Sequence, residues 1–169
     1  MRTRVAAAAF VAAAVAFVTG FPAGGPTMAA ATGACVPAPI LRGAPPPWTS
    51  SAWADSPGFR LPYSVASGRS AAAFFWVTLR AGSPTNPANK VLWVMRYPRR
   101  GSPLRISARD GAKPALTVRS SWPADSSPGE IYPSYLNLPK PGCWRLTLRW
   151  SSHVAHLNVS VVRAKRPSS

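Results

Sequence analysis

Between residues 72 and 162 the chain alternates short apolar runs with turn residues, and the runs have a period of two. Neighbouring residues of a strand point to opposite sides, so this period marks strands with one buried and one wet face. In one phase Leu104, Ile106, Leu116, Val118, Trp144, Leu146, Leu148, Trp150, Leu157, Val159 and Val161 all face a core. The other phase exposes Arg105, Ser107, Arg109, Thr117, Arg119, Arg145, Thr147, Arg149, His156, Asn158 and Ser160. Residues 72–79 and 90–96 break the rule, being nearly continuous apolar runs.

Turn residues divide these runs. Residues 82–89 form a Pro/Asn loop and residues 98–101 a turn, while Asp110-Gly111 joins residues 104–109 and 116–119 as hairpin partners. Residues 120–133 read as a long loop and 135–138 as a short strand. Residues 143–150 and 153–162 close the domain around Ser151-Ser152. No stretch has helical periodicity and no internal repeat is present. The expected fold is all-β, a small immunoglobulin-like antiparallel β-sandwich over residues 69–162. One immunoglobulin feature is missing. There a tryptophan packs on a disulfide between core strands, whereas here Trp144 directly follows Cys143, and a regular strand cannot point both inward.

Residues 35–68 hold Pro37, Pro39, Pro45, Pro46, Pro47, Pro57 and Pro62, which argue against a helix or a central strand. They read as an irregular arm hugging a sheet edge, with Trp48, Trp53 and Phe59 as anchors. Before the arm, Arg2 and Arg4 precede residues 5–18, which contain only Ala, Val and Phe. A basic start, a short apolar run and a small-residue zone describe a secretory signal peptide over residues 1–34, cleaved after Ala31 or Ala34. The run is shorter than the roughly 20 residues of a membrane span. The mature chain is therefore expected to be exported, without a transmembrane segment.

Composition sharpens this picture. The chain has 20 Lys+Arg against 4 Asp+Glu, for a net charge of +16, and loss of the leader lowers that by two. A hydrophobic share of 47% excludes a disordered polyelectrolyte. Lysine occurs only at 90, 113, 140 and 165, and the abundance of Ala and Arg is that of a GC-rich bacterial genome.

Cys35 and Cys143 are the two cysteines, and an exported chain meets an oxidising compartment. An even count there makes one bridge the default, tying the arm to the domain. The competing fate is lipidation of Cys35, since Thr32-Gly33-Ala34-Cys35 resembles a lipobox, with Thr32 where Leu is usual. Lipidation would leave Cys143 a lone thiol.

The segment Ile131-Tyr132-Pro133-Ser134-Tyr135-Leu136-Asn137-Leu138-Pro139, followed by Pro141-Gly142-Cys143-Trp144-Arg145-Leu146-Thr147, resembles a signature. It is the P-S-x-L-x-F-P-x-x-G-C-W-x-V-T segment of a group of bacterial exported and lipoprotein-like proteins of unassigned function. Those proteins often carry Cys-Pro near the mature start, here Cys35-Val36-Pro37. The likeness is good over residues 135–147 and loose over 74–162, and it departs at Leu138 and in the excess of Arg. It implies a small β-sandwich at the cell envelope and carries no catalytic residues.

Four acids and two histidines leave little for catalysis. His153 and His156, three apart on a strand, face opposite sides and cannot share a metal. Asp125 and Glu130 share a loop with Ser126, Ser127 and Gly129, the composition of a solvated turn rather than of a carboxylate dyad. No Gly-x-Ser-x-Gly elbow occurs. No enzyme activity, metal or cofactor is expected. A hydrolase with a non-standard site using His153 and His156 is the remotest reading.

The best lead is Arg105, Arg109, Arg119, Arg145 and Arg149 on one predicted surface, extended by Arg163, Lys165 and Arg166. Guanidinium forks grip phosphate or carboxylate in pairs of hydrogen bonds. Teichoic-type polymers, anionic lipid headgroups and extracellular DNA are the partners such a face suits. A basic face is also what GC-rich composition alone would give. Nucleic acid fits least, because the tryptophans alternate into the core and no nucleic-acid motif is present. The expected function is a non-catalytic binding or structural role at the cell envelope. A partner-binding or inhibitor domain using residues 120–133 is the alternative.

Overall fold

A computed structural model describes residues 34–53, 60–85, 87–112 and 114–164. The expected leader, apart from Ala34, lies outside the described residues, as do Phe59, Lys165 and Arg166. Eight strands follow in order: β1 (Tyr63–Val65), β2 (Ala71–Phe75), β3 (Lys90–Met95), β4 (Leu104–Asp110), β5 (Thr117–Trp122), β6 (Ile131–Tyr135), β7 (Gly142–Trp150) and β8 (His153–Val161). They form two antiparallel sheets, ordered β1-β2-β3-β6 and β5-β4-β7-β8.

The sheets pack on each other through one core. Phe75, Trp93, Met95 and Tyr132 come from the first sheet, and Leu104, Trp144, Leu146, Leu148, Trp150 and Leu157 from the second. Each large side chain buried there stabilises the fold by roughly 1.5–3 kcal/mol. Buried tryptophans need partners for their N–H groups, and these have them. Trp93 Nε1 donates to Ser134 Oγ at 2.8 Å, Trp144 Nε1 to Lys140 O at 3.0 Å, and Trp150 Nε1 to Tyr97 O at 3.3 Å.

The two sheets differ on their outer faces. A 3-10 helix, Pro47–Trp53, covers the first sheet, and Trp48, Ala52 and Trp53 pack with Tyr63, Phe74, Leu92, Val94 and Ile131. Buried on both sides, β2 and β3 read as continuous apolar runs instead of alternating. On the second sheet the expected alternation holds, with Leu104, Ile106 and Ala108 buried and Arg105 and Arg109 exposed along β4. That sheet keeps its outer face in water.

Several expectations need correction. Residues 35–68 are not wholly irregular, since they supply β1 and the 3-10 helix. Pro47 is tolerated because the first residue of a helix needs no N–H partner. The stretch 120–133 is not all loop: β5 runs on to Trp122, and Ile131–Tyr135 is a strand, leaving 123–130 between them. Pro133 concealed β6, but β6 is an edge strand, where a missing N–H is tolerated. Leu136 and Leu138 remain buried beyond its end. Leu116 is exposed rather than in the core. The Asp110 hairpin exists with a wider turn: Asp110 Oδ1 accepts the Leu116 N–H at 2.8 Å, and Asp110 N–H bonds to Leu116 O at 3.1 Å.

Cys35 and Cys143 form a disulfide with Cα atoms 5.8 Å apart. The bridge uses the sulfur that lipidation would need. Cys143 lies in the outward phase of β7 and Trp144 in the core, so the bridge fastens the arm at the strand mouth. From there the arm crosses from β8 to β1. Ala38 N–H donates to Asn158 O, Asn158 Nδ2 donates to Val36 O, and Leu41 and Tyr63 exchange backbone bonds.

Candidate anion-binding face

Strand register turns the wet face of the second sheet into a grid, because directly paired residues point to the same side. Three rows cross β5, β4, β7 and β8 in that order. The first is Ser121, Arg105, Arg149 and Val154, and the second is Arg119, Ser107, Thr147 and His156. The third is Thr117, Arg109, Arg145 and Asn158. All five arginines singled out in the sequence therefore share one face, and none of the grid positions carries a carboxylate.

Two rows pair arginine directly with arginine: Arg105 with Arg149, and Arg109 with Arg145. Backbones so placed lie about 4.5–5.5 Å apart, and like charges in such positions destabilise a sheet by roughly 0.2–1 kcal/mol. Screening at physiological salt acts over about 8 Å, so cations this close act on a ligand together.

Between the first two rows lies an open depression of about 630 Å³, lined by Arg105, Arg119, Arg149, Ser107, Ser121 and Thr147. Arginines and hydroxyl side chains thus line it side by side, a donor-rich depression suited to phosphate or carboxylate oxygens. Thr147 Oγ1 lies 3.3 Å from His156 Nδ1, which ties the middle row across β7 and β8. At the far end the face meets the disulfide, Cys143 being two residues from Arg145 in the same phase.

Among the described residues, Asp110 and Glu130 are engaged elsewhere. Asp110 is buried and accepts N–H bonds inside its own turn. Glu130 pairs with Arg99, the Nε–Oε2 distance being 3.2 Å. Arg99 also donates to the carbonyls of Ser126, Gly129 and Ile131 and so organises residues 123–130. The sequence carried no signal for this inward arginine, since it stands in a loop outside any alternation. Gly129 fits beneath it only as glycine: its φ is +71°, and a Cβ there would lie 2.7 Å from Ser51 Oγ.

The other candidates are not brought together. His153 lies in the core phase, stacked on Tyr97 at 4.8 Å between ring centres and tilted against Trp150, whereas His156 is on the wet face. Asp125 accepts a bond from the neighbouring Ser126 hydroxyl, away from the Glu130–Arg99 pair. Among the described residues no three His, Cys, Asp or Glu side chains gather to hold a metal. None of the described helices is long and apolar enough to cross a membrane. Arg163 is exposed just beyond β8. Comparison with family models, with curated proteins and with solved structures finds no match to this chain.

Proposed function

We propose that this chain is an exported, non-catalytic binding domain of the cell envelope that holds anionic surface polymers on the arginine face of its second sheet. One observation carries the reading: five arginines share a wet face whose paired positions carry no carboxylate, and four of them stand as directly opposed pairs. Repulsion between Arg105 and Arg149 is relieved when an anion lies between their two guanidinium groups. A face meant only for solubility gains nothing from such opposition, which mixed signs would avoid.

Export is supported by the basic start and short apolar run before residue 35 and by the disulfide, which persists in an oxidising compartment. The resemblance of residues 131–147 to bacterial exported proteins points the same way. We read the sandwich as immunoglobulin-like on its connections. The chain crosses between sheets from β3 to β4, from β5 to β6 and from β6 to β7. After β2 it also leaves the first sheet and bonds in parallel to the end of β8, through Ala81 N–H to Val162 O and Val162 N–H to Leu79 O.

The alternative of a partner-binding loop has less support, because the Glu130 carboxylate and three carbonyls of that loop region are engaged by Arg99. Sedimentation with isolated envelope tests the proposal. The wild-type chain should co-sediment in a salt-sensitive way, and Arg145→Glu/Arg149→Glu should stay in the supernatant. Equal retention of both would contradict it.

A further inference from the structure

The spacing of the rows names the polymer. We infer that the face holds a linear, base-free phosphodiester chain laid along β4 and β7, with successive phosphates on successive rows. This rests on the anion-binding reading above and adds its repeat length and direction.

Same-face residues of a strand are two apart, which is six backbone bonds and about 7 Å of extended chain. A glycerol-phosphate type polymer also has six bonds from one phosphorus to the next, so its extended repeat covers the same distance. Its charges and the rows of the sheet are commensurate. Arg105 and Arg149 grip the first phosphate. Arg109 and Arg145, four residues along and roughly 13–14 Å away, grip the third. The second phosphate meets Arg119 and the hydroxyls of Ser107 and Thr147 in the middle row.

Across the strands the spacing is only about 4.8 Å and two cations deep. That suits the two free oxygens of a single phosphate, one to each guanidinium fork, rather than two phosphates. The chain therefore runs along the strands. A nucleic acid strand has the same six-bond repeat, but its binders stack bases on aromatic rings. None of the grid positions is Trp, Tyr or Phe. The occupant is accordingly a polyol-phosphate chain of the envelope.

Calorimetric titration of the purified protein with synthetic oligomers tests this. Propanediol-phosphate oligomers have six bonds per repeat and hexanediol-phosphate oligomers nine, and both are compared at equal phosphate number with oligothymidylate. Affinity should climb steeply from one to three phosphates, and the six-bond trimer should bind about tenfold tighter than the nine-bond trimer. Arg109→Glu/Arg145→Glu should erase that preference. Equal affinity for both repeats would overturn the register while leaving general anion binding intact. Failure of every oligomer to bind would overturn the reading beneath it. Tighter binding of oligothymidylate than of the six-bond trimer would make the occupant a nucleic acid and overturn the assignment.

Discussion

Arg105 on β4 and Arg149 on β7 stand directly opposite each other in the antiparallel ladder, on a face without a carboxylate. On the proposed reading the pair weakens the sheet and equips the surface, so stability and binding should respond oppositely to one change. Arg105→Glu turns repulsion into attraction and should raise stability by about 0.5–1 kcal/mol, a few degrees in Tm at most. The same variant should bind polyanion more weakly. A calorimetric scan and a binding titration on one preparation decide it, and a loss of both stability and binding would argue against the pairing.

Arg99 is the internal counterpart of these surface arginines. Its side chain is 13% exposed, and it joins Glu130 to the carbonyls of residues 126, 129 and 131. Arg99→Ala leaves these groups without their partner and should cost roughly 2–4 kcal/mol. Lysine restores the charge but not the planar fork, so Arg99→Lys should recover less than half of the loss. Urea unfolding measures both, and limited proteolysis should cut the variants first within residues 123–130.

The disulfide closes a loop spanning 108 positions. On the chain-entropy account, Cys35→Ser/Cys143→Ser should lower stability by about 4 kcal/mol. The nine paired positions of β7 and β8 hold the arginine face without it. Hydrogen exchange should therefore quicken at Ala38 and Leu41, whose N–H groups tie the arm down, before it quickens in β7. Simultaneous opening of both regions would show that the bridge supports the sheet itself.

Tyr132 predicts the alkaline limit of the fold. Burial, chiefly, pushes its phenol up to about 12, with Arg99 pulling down and Glu130 pushing up, and its hydroxyl donates to Ser102 O at 2.6 Å. In the unfolded chain the group ionises near 10. The stability held by the neutral phenol is thus complete below about pH 10 and is lost as pH rises toward about 12. Tyr132→Phe should flatten the stability profile in that window and lower stability at neutral pH by about 1 kcal/mol. An unchanged alkaline slope would exclude Tyr132 as its source.

Much of the second sheet is legible in the sequence because β4, β7 and β8 are each buried on one side only, and period two reports that directly. Arg105, Arg109, Arg145 and Arg149 follow from that phase, and Arg119 from the weaker alternation of β5. What the alternation could not supply is register. Arg105 meets Arg149 because β4 lies beside β7, a pairing between strands far apart in the chain and joined by no hairpin. The first sheet is less legible. The arm covers it, so β2 and β3 lose their alternation, and Pro133 hides an edge strand that proline can join. Arg99 carries no signal for another reason: a largely buried loop arginine looks like any other arginine until its carbonyl partners are assembled around it.

The most direct test of the central claim is a titration of the wild-type chain and of Arg105→Glu/Arg119→Glu/Arg149→Glu with purified poly(glycerol phosphate) over a range of salt. With three phosphates neutralised on the face, log K should fall against log salt with a slope of roughly −2 for the wild type. The triple variant, folded by circular dichroism, should show no measurable binding. Equal binding by both proteins, or an affinity indifferent to salt, would contradict the arginine face as the binding site.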